Sequence, residues 1–202
     1  MQFQPPKGTR DFFPAEMNKR KRYFEILRKV IESYGFGEVL TPAFESLELL
    51  EAKGSLGEEA VKDIFRIWSK GKNKLAYGLI FDPTTPIARI VAANKNLPKP
   101  IKWYYIRPMW RYEEFRPGKR FREFWQAGVE LIGTDSPESD AEILALTYDC
   151  LKALGIKKFT IKINSRKIIE ILAELSEIPK QKRLDAFRSL DKLEKIGENK
   201  AK

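Results

Sequence analysis

The chain has 202 residues, 43% of them apolar and 33% charged, with a formal net charge of +10. That is the composition of a soluble globular protein with a sizeable core, and it excludes an intrinsically disordered chain. One cysteine, Cys150, and no histidine exclude an internal disulfide, the usual thiolate and imidazole set for zinc, and serine–histidine or cysteine–histidine catalysis.

Any chemistry must therefore rest on carboxylates, arginines, lysines and backbone. The positive charge suits a polyanionic partner such as nucleic acid or a nucleotide, although thermophile-like enrichment in Lys and Glu gives the same sign. No apolar run approaches the roughly 20 residues that span a bilayer. The polar start "MQFQPPKGTRDFF" does not read as a secretory signal, so a cytoplasmic location is expected.

In chain order, Pro14 to Tyr34 has Tyr23, Ile26, Leu27, Val30, Ile31 and Tyr34 at helical spacing, with Pro14 placed to start a helix and Gly35 to end it. The stretch "FGEVLTP" predicts a strand that stops at Pro42, which lacks an amide donor. A short helix follows around Ser46 to Ala52. Ile64 to Trp68 and Leu75 to Phe81 flank the turn formers Gly71 and Asn73, the pattern of a hairpin. In "DPTTPIARIVAANKN", Thr84 or Thr85 is a candidate N-cap and Pro86 a candidate first helical residue. Asp82 then stands between a strand exit and a helix start, a place where a rigid scaffold aims polar groups.

A long hairpin is expected over "YYIRPMWRYEEFRPGKRFREFWQAGVELIG". Beyond it, Ser136 opens a helix from Pro137 to about Leu154, "KKFTIKI" alternates as a strand, and Ser165 to Ile196 reads as two helices around Pro179. The whole is an α+β fold, a mixed, largely antiparallel sheet flanked by helices.

Residues two apart on a strand share a face. Arg107, Met109, Arg111 and Glu113 share one on the first strand, as do Arg120, Arg122, Phe124, Gln126, Gly128 and Glu130 on the second. Tyr104, Ile106, Trp110 and Tyr112, with Phe121, Trp125, Val129 and Leu131, form the opposite, core face. A charged face is the ordinary solvated side of an antiparallel sheet. Here it also combines guanidinium forks for phosphate or carboxylate, an aromatic plate for a base, and carboxylates that can hold an amine, as a site for a nucleotide beside an amino acid requires.

The pattern Arg111, Glu113, Arg120, Phe124 resembles motif 2 of class II aminoacyl-tRNA synthetases. With "KGTRDFFP", "YGFGEVLTPAFES", "FDPTTPIAR" and "PMWRYEEFRPGKRFREFWQAGVELIG", the chain resembles histidyl-tRNA synthetase in an archaeal or eukaryotic style over essentially its whole length. The resemblance implies that the 202 residues are the N-terminal portion of a catalytic domain, with motif 3 and the anticodon-binding domain outside them. It implies that Arg111 contacts the α-phosphate of ATP and the histidine carboxylate, Glu113 the adenine amine, Phe124 the adenine ring, and Arg120 or Arg122 the outer phosphates. Asp82, Thr84, Gln126 and Glu130 would hold histidine, Pro42 would lie at a homodimer interface, Mg2+ would accompany ATP without a protein-bound metal, and tRNA(His) would be the acceptor. Two rivals remain at this level: a non-catalytic relative such as the regulatory subunit of ATP phosphoribosyltransferase, and a basic RNA-binding module without a nucleotide pocket.

Overall fold

The computed structural model describes residues 3–52, 61–183, 185–187 and 189. The chain divides into two units, residues 1–157 and 158–202.

The first unit opens with helix α1 (Pro14–Ser33), where proline at the first position gives up an amide that has no helical partner anyway. Gly35, at φ +80°, ends it in a conformation that costs glycine little. β1 (Gly37–Glu38) pairs in parallel with β5 (Ile101–Trp110), and β6 (Glu123–Ile132) pairs antiparallel with β5 to complete one sheet. β2 (Phe44–Ser46), β3 (Arg66–Ser69) and β4 (Lys74–Leu79) form a second, antiparallel sheet in the order β2-β4-β3. Helix α2 (Leu47–Ala52) follows β2, α3 (Thr84–Ala93) follows β4, and α4 (Pro137–Ala153) follows β6. This is the expected α+β architecture.

Several boundaries differ from expectation for physical reasons. The strand predicted to reach Pro42 pairs only at Gly37 and Glu38, with a last ladder bond from the Val39 amide to the Tyr104 carbonyl at 2.8 Å. Beyond it, the carbonyls of Thr41 and Pro42 are taken by a side chain, Arg107. Helix α3 starts at Thr84 rather than Pro86, because Asp82 Oδ1 accepts the Thr84 amide at 2.8 Å and neither threonine serves as the cap. "KKFTIKI" forms no strand, and Ile163 is 71% exposed. The second unit carries α5 (Arg166–Leu175) and helical residues at 180–183, 185–187 and 189 past Pro179. The end of the predicted second tail helix, from 190 to 196, lies outside the described residues.

The β5–β6 hairpin is covered on both faces. Tyr104 and Ile106 pack with Ile31 and Phe36 and with Leu146 of α4, with Val129 and Leu131 beside them, whereas Tyr112 and Trp125, expected on the same core face, are exposed near the loop end of the hairpin. The other face was expected to be charged, yet half of it is core: Tyr105 and Met109 are buried with Ile87 of α3, and Val91, Trp103, Phe124 and Ile132 pack around them. Full burial of Met109 alone contributes about 1.5–3 kcal/mol.

Arg107 lies in this second layer, 4% exposed. Its Nη1 donates to the Thr41 carbonyl at 2.8 Å and to the Thr41 hydroxyl at 2.6 Å, and its Nη2 donates to the Pro42 carbonyl at 3.1 Å. These acceptors are neutral oxygens, and Nε finds no partner among the described residues. The arginine predicted on a ligand-facing surface is instead a buried latch between β5 and the 41–42 segment. Arg107→Met leaves those oxygens unpaired and is expected to lower stability by about 2–3 kcal/mol in urea unfolding; a loss below about 0.5 kcal/mol, the range of an ordinary surface change, would contradict the latch.

Candidate active site

β5 and β6 stop at Trp110 and Glu123, so Arg111, Glu113, Arg120 and Arg122 lie past the ladder and are held by individual bonds. The Arg111 amide still donates to the Arg122 carbonyl at 2.9 Å, which keeps the two segments side by side. Arg111 Nε donates to the Phe81 carbonyl at 3.1 Å, and its guanidinium carbon lies 5.1 Å from the Phe124 ring centroid. Glu113 sits between two cations, with Arg111 Nη1 at 3.9 Å and Arg120 Nε at 3.1 Å. The Arg111–Glu113–Phe124 cluster expected at one end of the hairpin is therefore assembled.

The two loop arginines, equivalent in sequence, differ in place. Arg122 Nε donates to the Glu113 carbonyl at 3.1 Å, and its guanidinium lies 4.2 Å from the Tyr112 ring centroid, so it is engaged by the scaffold. Arg120 keeps a side chain 55% exposed with Glu113 as its ion-pair partner.

At the other end of the same face, the Thr84 hydroxyl donates to Glu130 Oε1 at 2.7 Å, while Asp82 fixes the Thr84 amide. Asp82, Thr84 and Glu130 are thus brought together across 46 residues of sequence separation between Thr84 and Glu130. Gln126 Nε2 donates to the Tyr105 hydroxyl at 3.3 Å.

Tyr105 was missed from sequence. It stands directly opposite Gly128 in the ladder, and a Cβ on Gly128 would lie 2.3 Å from the phenolic oxygen. The room left by the missing side chain of Gly128 is filled by this ring. The signal was available: Tyr105 has the same parity as Arg107, and a bulky aromatic facing a glycine across a strand pair is a packing complement. Burial, with Glu130 and then Asp82 nearby, pushes its phenol up to about 12.

Pro42 lies between exposed Leu40 and Phe44, 78% and 50% accessible, with its carbonyl on Arg107. Among the described residues, no three or more Cys, Asp or Glu side chains group as a metal site, and no helix is long and apolar enough to cross a membrane.

The family profile described as histidyl-tRNA synthetase matches residues 8–197. The chain belongs to the histidyl-tRNA synthetase family. A curated relative, the histidine-tRNA ligase of Pyrococcus abyssi, is 45% identical over 193 residues, 95% of this chain and 43% of that protein. The solved histidyl-tRNA synthetase of Nostoc sp. PCC 7120 superposes with TM-score 0.81 at 31% identity, covering 100% of this chain and 44% of that one. A structure from Bacillus halodurans described as an ATP phosphoribosyltransferase regulatory subunit/histidyl-tRNA synthetase matches at TM-score 0.68 and 28% identity, over 78% of this chain and 40% of that one. The chain spans less than half the length of these relatives. The synthetase reading is supported over the regulatory-subunit alternative, since the curated histidyl-tRNA synthetase relatives match along almost the whole chain.

The Tyr105 environment has a consequence at alkaline pH. The folded state holds this proton to about pH 12 while an unperturbed tyrosine loses it at 10.0, so the associated stability is complete below pH 10 and is lost as pH rises towards 12. Tyr104, raised by burial and its bond to Glu32, acts in the same direction. Tyr105→Phe should therefore reduce, without abolishing, the loss of stability in urea melts between about pH 9 and about pH 11; an unchanged slope would show that the phenol titrates normally.

Proposed function

We propose that this chain carries the part of a histidine-activating site that binds ATP and histidine for formation of histidyl-adenylate and transfer to tRNA(His). The observation that carries the reading is the division of one hairpin face: a guanidinium beside an aromatic ring and a bracketed carboxylate at one end, and a carboxylate, hydroxyl and amide set at the other.

In this reading Arg111 lies where the two substrates meet and contacts the α-phosphate and the histidine carboxylate. Phe124 receives the adenine ring and Glu113 its amine. Arg120 reaches the outer phosphates, because its exposed fork can turn outward while Arg122 is held by the Glu113 carbonyl and Tyr112. Asp82, Thr84, Gln126 and Glu130 hold the histidine ammonium and ring nitrogens, with Tyr105 orienting the Gln126 amide.

The reaction needs no protein nucleophile. An oxygen of the histidine carboxylate bonds to the α-phosphorus, the bond from that phosphorus to the pyrophosphate oxygen breaks, and pyrophosphate leaves. A hydroxyl at the tRNA 3′ end then takes the histidyl group and releases AMP. The residues align anions and offset developing charge, which is positioning and electrostatic stabilisation. Mg2+ enters on the ATP phosphates; Glu113, set between two arginines, is not arranged as its ligand. The basic surface provides phosphate contacts for tRNA, and a second copy covers the Pro42 edge with its exposed Leu40 and Phe44.

The test is calorimetry of the chain with ATP and with histidine, alongside histidine-dependent pyrophosphate exchange. Arg111→Ala is expected to weaken both ligands by roughly tenfold to a hundredfold, the worth of a charge-assisted hydrogen bond. Exchange by these 202 residues should run at least about 100-fold slower than in a full-length relative, of which the chain spans 43%. Equal exchange rates, or an Arg111→Ala variant with unaltered affinity for both ligands, would contradict the reading.

A further inference from the structure

Residues 6–12 do not take part in the site, yet they are built into its nucleotide end. The Thr9 amide and hydroxyl both donate to the Pro6 carbonyl, at 3.0 and 2.7 Å, folding the segment into a turn. At the turn, the buried Gly8 presents its carbonyl to two successive amides where β6 begins, Arg122 at 2.8 Å and Glu123 at 3.3 Å. Gly8 has φ +87°, and a Cβ there would lie 2.7–2.9 Å from three carbons of the Arg122 stem. Only glycine satisfies both conditions without displacing Arg122.

Beyond Gly8, cations and rings alternate through three segments of the chain. Arg20 of α1 lies 3.7 Å from the Phe12 ring centroid and 5.6 Å from that of Trp125. Arg10 lies 4.4 Å from Phe12 on one side and 4.8 Å from Phe121 on the other, and Phe121 meets Phe115 edge-on at 5.7 Å. Among the described residues Arg20 Nη1 is buried without a hydrogen-bond partner, and its guanidinium lies against ring faces. The stack fastens the 6–12 segment to α1 and to the hairpin loop at once.

We infer that residues 6–12 are a strap whose Gly8 carbonyl and Arg10–Phe121 contact position the hairpin loop for ATP. The path is short: Gly8 fixes the Arg122 backbone and stem, Arg122 Nε holds the Glu113 carbonyl, and Glu113 lies between Arg111 and Arg120. Gly8 and Arg10 are positioning residues. The hydrogen bonds and stacks described for the strap reach the nucleotide end and not Asp82, Thr84, Gln126 or Glu130. The inference rests on the proposed ATP site for its function, but not for the ordering of the loop.

Two variants of the full chain test it. Gly8→Val adds both the strained φ and the clash, while Arg10→Ala, at an exposed position, breaks the stack without threatening the fold. Amide hydrogen exchange should rise by about tenfold or more at Arg122 and Glu123 in either variant, with α4 unchanged. By calorimetry, ATP affinity should fall by about tenfold while histidine affinity stays within about twofold. Equal losses for both ligands would indicate general loosening and overturn the inference, as would ATP affinity that holds while loop exchange rises. Unchanged loop exchange in Arg10→Ala, and in Gly8→Val if it folds, would overturn it outright. If the parent chain fails to bind ATP, the proposed ATP site is wrong, and loop exchange alone decides whether the strap orders the loop.

Discussion

Ten residues of β5 pair in unbroken antiparallel register with ten of β6, from Ile101 opposite Ile132 to Trp110 opposite Glu123. Slipping this register by one residue would exchange the faces of every side chain. It would move Gln126, Glu130 and Phe124 into the layer of Tyr104 and Ile106, and bring apolar Val129 and Leu131 to the site. The ladder is fixed by burial on both sides, with α1 and α4 over one face and α3 over part of the other. The strand residues of the candidate site, Phe124, Gln126 and Glu130, are therefore aimed by apolar packing.

The two ends of the site differ in how they are held. At the end proposed to meet the amino acid, Gln126 and Glu130 are strand residues placed by the ladder, and Thr84 is added by the start of α3. At the end proposed for the nucleotide the strands have finished, and each guanidinium depends on a specific acceptor: the Phe81 carbonyl for Arg111, Glu113 for Arg120, and the Glu113 carbonyl for Arg122. One end of the candidate site is thus a loop with outside supports, and the other is rigid sheet.

Much of this was legible from the chain. Alternation placed Phe124, Gln126 and Glu130 on one face, and turn and cap residues located α1 and α4 closely. Arg107 was not legible: parity put it on the site face correctly, but nothing local reveals that Thr41 and Pro42, more than sixty residues earlier, present oxygens to it. The same limit applies to Tyr105, whose ring occupies the space beside Gly128 on the opposite strand. Arg120 and Arg122 were indistinguishable because their difference depends on Gly8 and Tyr112, contacts made only after the loop folds back. "KKFTIKI" failed for the reverse reason: alternation is a local pattern and carries no information about which strand, if any, lies beside it.

The central claim is that one face of the β5–β6 hairpin is divided between an amino-acid end and a nucleotide end. Backbone amide chemical shifts of the chain, followed while histidine alone and then ATP alone are added, test this directly. The account predicts that histidine perturbs residues 82–84, 126–130 and Arg111, that ATP perturbs residues 111–124, and that the two sets share only Arg111 and its immediate neighbours. One common set of residues perturbed by both ligands, or perturbation confined to residues outside 82–84 and 111–130, would contradict it.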